Sequence, residues 1–364
     1  MKLLLGGGGS GGHIFPALAV ASALRDHIHE DLALLYVGTE TGVESRIVPE
    51  AGIPFEVVAS RGVRGRHLLS QIWSLATMSV GIWDAVRIIR RFRPNAVLLT
   101  GGYASVPVGV AAWLTGRPVV VFQPDIEPGW AIRLLTQIAT KVCVTDAQSL
   151  HRLPAQKAIA TGYPLRPVFS QIDRPMARAR FGLNGTPSVL VSGSIQGARQ
   201  INAAIDDHLE EWVTFAQLIH VTGDKDARRM ARRREDLPED LRHRYQPVEY
   251  LGDELPTAMA ACDLAISRAG ASVLAEYPAA GLASVLVPLP GAGGHQRHNA
   301  QALTDAGAAV VIDDSKVGAE LLGTTRTILE DSERLAEMRR RSAAKARIDA
   351  AERIAEVLWE VRRD

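Results

Sequence analysis

Strand-length apolar segments alternate with amphipathic helical stretches along this chain, and they do so in two series. The first runs through 3–5, 32–37, 55–58, 96–99, 119–122 and 141–144; the second follows the proline-marked segment 164–187 and runs through 189–191, 218–221, 248–251, 264–267, 284–287 and 309–312. A strand followed each time by a helix crosses over to a parallel neighbour, so the pattern predicts doubly wound parallel sheets. A chain of 364 residues, 47% of them hydrophobic, is long enough for two cores. The expected fold class is therefore α/β, with two Rossmann-like doubly wound domains, 1–163 and 164–341, facing a cleft beyond the carboxyl ends of their strands. The charged tail 332–364 reads as one or two outer helices, and 342–364 is expected to pack back on the first domain.

Each domain opens on a glycine turn. The first strand breaks into Gly6-Gly7-Gly8-Gly9-Ser10-Gly11-Gly12-His13 and restarts as a helix expected over 17–24. Without Cβ atoms the backbone turns sharply and its N–H groups face an anion, while the free N–H groups of the following helix add partial positive charge. Such a loop suits a phosphate, although a tight turn without a ligand has the same local shape. The second domain has Ser192-Gly193-Ser194-Ile195-Gln196-Gly197-Ala198-Arg199 directly after a strand. Further on, Ser267-Arg268-Ala269-Gly270-Ala271 again leaves a strand for a helix, and Glu276 follows on that helix. A carboxylate there can accept two hydrogen bonds from a ribose diol, or it is an ordinary solvated helix residue. The loop 288–300 is dense in hydrogen-bonding side chains, which makes Gln296 and Asn299 candidate sugar ligands and His298 a surface residue.

Composition removes several function classes. The 41 basic residues balance 40 acidic ones, which argues against a general nucleic-acid binder. Cys143 and Cys262 both sit among apolar strand residues and read as buried reduced thiols, with no metal site implied. One lysine and three leucines before the glycines make too short an apolar run for a signal peptide, so a cytoplasmic protein is expected. Gly7, Gly9 and Gly12 fit a dinucleotide fingerprint, but the second strand ends Val37-Gly38-Thr39, with Glu40 only after it, and an NAD-type reading leaves the second glycine turn unexplained. The stretch 68–86 is largely apolar, with Trp73 and Trp83, but its Gln71, Ser74, Ser79 and Asp84 oppose a spanning helix. Arg61, Arg64, Arg66 and His67 precede it and Arg87, Arg90, Arg91 and Arg93 follow. It reads either as a core helix with basic ends or as a face for an anionic membrane surface.

GGGGSGGHIFPALAVASAL, GGYASVP, SGSIQGARQIN, SRAGASVLAE and HQRHNAQAL, in that order over nearly the whole chain, resemble the MurG family of peptidoglycan glycosyltransferases. The resemblance implies the GT-B fold and transfer of N-acetylglucosamine, with inversion and without a metal or cofactor, from UDP-N-acetylglucosamine to the muramyl sugar of a polyprenyl-pyrophosphate acceptor on the cytoplasmic side of the membrane. By the same resemblance the first glycine loop, with Ser10, Gly11, Gly12 and Tyr103, faces the acceptor. Gly193, Ser194, Ile195, Gln196, Glu276, Gln296 and Asn299 hold the donor, with Arg166 near its phosphates. His13 takes the proton or orients substrate, and Asp125 is a second candidate base.

The departures from the family pattern cluster. Phe122-Gln123-Pro124-Asp125 stands where the family usually has His-Glu-Gln-Asn, Tyr163 where asparagine is common, Ile195 where a serine is usual, and Gly294 where an acidic residue is usual. For Ile195, the hydroxyl of Ser194 is the expected substitute near the leaving diphosphate. Two other readings stay beside the main one: a related GT-B enzyme with another lipid acceptor, and a non-catalytic relative that binds a UDP-sugar or lipid.

Overall fold

The computed structural model describes residues 1–9, 11–27, 32–60, 68–193, 197–291 and 294–363. The chain divides into two compact units: Met1–Arg166 with Ile348–Asp364, and Pro167–Arg347.

Unit 1 contains β1 (Lys2–Gly6), α1 (Gly11–His27), β2 (Ala33–Gly38), α2 (Glu44–Glu50), β3 (Phe55–Val57), α3 (Leu68–Phe92), β4 (Ala96–Leu99), α4 (Ser105–Leu114), β5 (Val119–Gln123), α5 (Trp130–Ile138), β6 (Lys141–Val144) and β7 (Ala158–Ala160). Its sheet is parallel throughout, in the order β3-β2-β1-β4-β5-β6-β7. Leu3, Leu4 and Leu5 are all fully buried, because a central parallel strand has helices on both faces and reads as a continuous apolar run. The strand order reverses between β1 and β4, and the glycine turn leaves β1 at that point.

Unit 2 contains α6 (Arg174–Arg180), β8 (Ser188–Ser192), α7 (Arg199–Asp207), α8 (Leu209–Phe215), β9 (Gln217–Val221), α9 (Asp224–Glu235), β10 (Tyr245–Val248), α10 (Leu255–Ala261), β11 (Leu264–Ser267), α11 (Val273–Ala279), β12 (Ala283–Leu286), α12 (His295–Asp305), β13 (Ala309–Val311), α13 (Val317–Glu330) and α14 (Ser332–Ala343). Its parallel sheet runs β10-β9-β8-β11-β12-β13, with the reversal between β8 and β11. The last helix, α15 (Ala350–Val361), belongs to unit 1 and packs on α1. Both units are thus Rossmann-like α/β sheets, each with its own apolar core.

Most strand ends shift by a residue or so and β7 was not expected, but two differences from the sequence reading bear on the argument. The helix expected over 17–24 begins at Gly11, so Gly12 and His13 lie in its first turn and Pro16 lies inside it. The strand expected over 248–251 occupies Tyr245–Val248 and contains Pro247; β10 is an edge strand, where a residue without an N–H is tolerated. Burial holds the Cys143 thiol up at about 12 and pushes that of Cys262 up as well, and neither is in a disulfide.

Candidate functional site

In unit 1 the turn after β1 meets the turn after β4. The Thr100 N–H donates to Gly6 O at 2.9 Å, and the Ser105 hydroxyl contacts Gly6 O and Gly101 O at 3.2 and 2.7 Å. Gly102 sits at φ +82, and a Cβ there would lie 2.2 Å from Gly8 O, so the two glycine segments cross backbone on backbone. His13 is fixed in this crossing. Its Nδ1 is 2.8 Å from Thr100 O, and the Thr100 hydroxyl donates to His13 O at 2.5 Å. A carbonyl oxygen only accepts, so Nδ1 carries the proton and Nε2 is the ring's proton-accepting nitrogen. A Cβ on Gly101 would lie 2.6 Å from that Nδ1, so the ring needs glycine there.

The other unit 1 candidates surround this crossing in sequence and topology. Gly11 and Gly12 open α1, and Ser10 lies outside the described residues. Tyr103 is 43% exposed, with its ring centroid 6.3 Å from that of Trp130 at the start of α5. Asp125 follows β5, and its carbonyl accepts from the Gln123 amide at 3.0 Å. Arg166 is the last residue of this unit's first segment, with its guanidinium 5.1 Å over the Phe15 ring on α1.

A residue that sequence reasoning missed holds the loop from below. Glu44 is fully buried; one carboxylate oxygen accepts from Gly9 N at 3.0 Å, the other from Thr39 N at 3.1 Å and the Thr39 hydroxyl at 2.7 Å. The phenol of Tyr36, pushed up first by burial and then by the Glu44 charge, stays neutral beside Gly7. The signal in the chain was glycine at 38 and 42 beside a glutamate, which is weak without the fold.

In unit 2 the turn after β8 begins at Gly193, which is buried, while Ser194, Ile195 and Gln196 lie outside the described residues. Gly197, at φ +73, approaches so closely that a Cβ would lie 2.2 Å from Thr222 O. That same carbonyl accepts from the Asn202 amide at 2.8 Å, and Asn202 Oδ1 meets His220 Nε2 at 3.0 Å. His220 is fully buried, and burial lowers it to about 3, so the ring is a neutral strut that accepts the Tyr245 hydroxyl at Nδ1.

The turn after β11 is held by two groups. Asn299, fully buried, donates to Ala269 O at 3.1 Å and so supports the turn. Arg268 bonds Val287 O at 3.2 Å and pairs with Asp314 at 2.5 Å. Glu276 is half-buried on α11. Gln296 Oε1 accepts from Leu289 N at 2.9 Å, fastening the loop before α12 and leaving its amide nitrogen as the donor. Among the described residues, no group of three or more His, Cys, Asp or Glu is placed to hold a metal ion.

Known proteins resemble the chain over its full length. Residues 3–144 match the glycosyltransferase family 28 N-terminal domain, and residues 188–354 match the C-terminal domain of the same family. A relative from Moorella thermoacetica, named as UDP-N-acetylglucosamine:N-acetylmuramyl-(pentapeptide) pyrophosphoryl-undecaprenol N-acetylglucosamine transferase, is 39% identical, with 98% of each chain covered. A relative of the same name from Roseiflexus sp. (strain RS-1) is 37% identical, covering 98% of this chain and 94% of its own. The crystal structure of Acinetobacter baumannii MurG aligns with a TM-score of 0.76 at 26% identity, covering 99% of both chains.

Proposed function

The chain belongs to the MurG family of family 28 glycosyltransferases, and on that premise we propose that it transfers N-acetylglucosamine from UDP-N-acetylglucosamine to the muramyl sugar of a polyprenyl-pyrophosphate acceptor. The observation that carries the mechanism is the His13 ring, pinned through Nδ1–H to Thr100 O with Nε2 left to accept a proton. In a single displacement the acceptor hydroxyl oxygen bonds the anomeric carbon while the bond from that carbon to the UDP oxygen breaks. The hydroxyl proton passes to His13 Nε2, and UDP leaves as the diphosphate. Inversion follows from the single step. Unit 1 supplies the proton acceptor and the acceptor loop; unit 2 supplies the nucleotide site, with Glu276 on the ribose, the turn after β8 at the diphosphate, and the Gln296 amide at the sugar.

The defining test is UDP-N-acetylglucosamine-dependent transfer by the purified protein to a panel of muramyl-pyrophosphoryl-polyprenol and diacylglycerol acceptors. Transfer to the muramyl lipid alone is expected, and transfer to no acceptor would overturn the reading. For the donor, Glu276→Ala is expected to weaken binding by on the order of 1–3 kcal/mol, the cost of losing hydrogen bonds to a charged group. Calorimetry measures this, and equal affinities would remove Glu276 from the site.

The acceptor's lipid also calls for a membrane-facing surface. Among the described residues no helix is long and apolar enough to cross a membrane. On α3, Ala85, Ile88 and Ile89 join the core while Val80 and Trp83 are exposed, as are Trp113 and Leu114 on α4, which packs against α3. Arg87, Arg90 and Arg93 are exposed beside them; Arg61, Arg64, Arg66 and His67 lie outside the described residues. We assign to this face peripheral binding at the cytoplasmic surface of the membrane. Co-sedimentation with anionic vesicles at low salt, released as salt shortens the screening length to about 10 Å at 0.1 M, is the expected result. Failure to bind at any salt would remove the membrane role from this face.

A further inference from the structure

We infer that Tyr163 and Phe122 act together as a positioning pair for His13, an inference that rests on the catalytic reading of that histidine. The argument starts at Pro16. A proline inside a helix has no N–H to give the carbonyl four residues back, and for Pro16 that carbonyl belongs to Gly12. The structure supplies a replacement from 151 residues away: the Tyr163 hydroxyl donates to Gly12 O at 3.1 Å.

The direction of that hydroxyl is set by the packing of its ring. Tyr163 is 3% exposed and Phe122, at the end of β5, is fully buried. Their rings meet edge to face, with centroids 5.6 Å apart at 72°. The first turn of α1 is therefore gripped on successive carbonyls, Gly12 O by Tyr163 and His13 O by the Thr100 hydroxyl. With both carbonyls held, the imidazole meets Thr100 O at a fixed angle and Nε2 has one direction. A side chain without a phenol at 163 would leave Gly12 O without this donor. Phe122 and Tyr163 touch, so substitutions at either position act on one contact.

The test uses the full chain as wild type, Tyr163→Phe, Phe122→Leu and the double variant. Three readouts are taken: kcat with the muramyl lipid, donor affinity, and the His13 ring signals by NMR of histidine-labelled protein. Tyr163→Phe keeps the ring contact and removes only the hydroxyl. It is expected to lower kcat by roughly 3- to 10-fold, about the worth of one hydrogen bond, with donor affinity unchanged and the His13 signals shifted. Phe122→Leu should do the same, and the double variant should lose no more than the worse single one, because both act on one contact. Unchanged His13 signals in Tyr163→Phe, or losses in the two singles that multiply in the double, would overturn the pairing. If the wild type transfers to no acceptor the functional reading fails, while the His13 signals still decide whether Tyr163 positions that ring.

Discussion

His13→Asn is expected to lower kcat by about 10²- to 10⁴-fold, the range for removing a general base, while leaving UDP-N-acetylglucosamine affinity unchanged. Asparagine keeps an amide donor for Thr100 O, so the glycine crossing retains its shape, but it offers no nitrogen that can take a proton. His13→Ala removes both functions and should fall at least as far. A partial return of rate on adding imidazole to His13→Ala would mark the lost group as a proton acceptor and not a spacer. A variant that keeps a rate within a few-fold of wild type in both substitutions would move the proton to another group, with Asp125 the next candidate on the acceptor side. Donor affinity is the control that separates this outcome from a general loss of structure.

The second large effect is expected on stability. Glu44→Ala removes a fully buried carboxylate and takes the acceptor from the N–H groups of Gly9 and Thr39 and from the Thr39 hydroxyl. Gly9 is exposed and Thr39 half-buried, so water relieves part of the cost of the lost acceptor, and a loss of about 1–3 kcal/mol is expected. Thermal or denaturant unfolding of the full chain reads it as a lower transition of unit 1, with that of unit 2 unmoved. A cycle makes the cause specific. A Cβ on Gly42 would lie 2.1 Å from the Glu44 carboxylate, and one on Gly8 would lie 2.2 Å from it. Gly42→Ala should therefore destabilise the wild type strongly and the Glu44→Ala background much less. Equal costs in the two backgrounds would mean that the carboxylate does not shape the glycine loop.

How much of this was legible follows from the range over which each cause acts. β1, β4, β8 and β11 are short apolar runs buried on both faces, so local composition marked them. Pro247 misplaced an edge strand because whether an N–H is needed depends on a neighbour that only the sheet order reveals. His13 was visible as part of a motif, but the tautomer that leaves Nε2 able to accept a proton comes from Thr100, 87 residues on. Glu44 lies 35 residues from the N–H it holds, and in the chain it is one more glutamate at a helix start. Asn299 stood out as a polar side chain near a loop, and only the fold shows that its amide holds the Ala269 carbonyl. Tyr163 was legible solely as a departure, since its use depends on a carbonyl orphaned by Pro16.

The path of the chain sets an order of assembly. α15 covers α1, and Arg363 exchanges backbone and side-chain hydrogen bonds with Asn95 beside β1. A ribosome makes residues 167–347 between these partners, an interval of roughly 10–40 s at 5–20 residues per second. Throughout it the unit of residues 167–347 is continuous and free to fold, while the unit that carries His13 waits with one flank of α1 bare. The continuous unit can therefore be complete before α15 closes the discontinuous one.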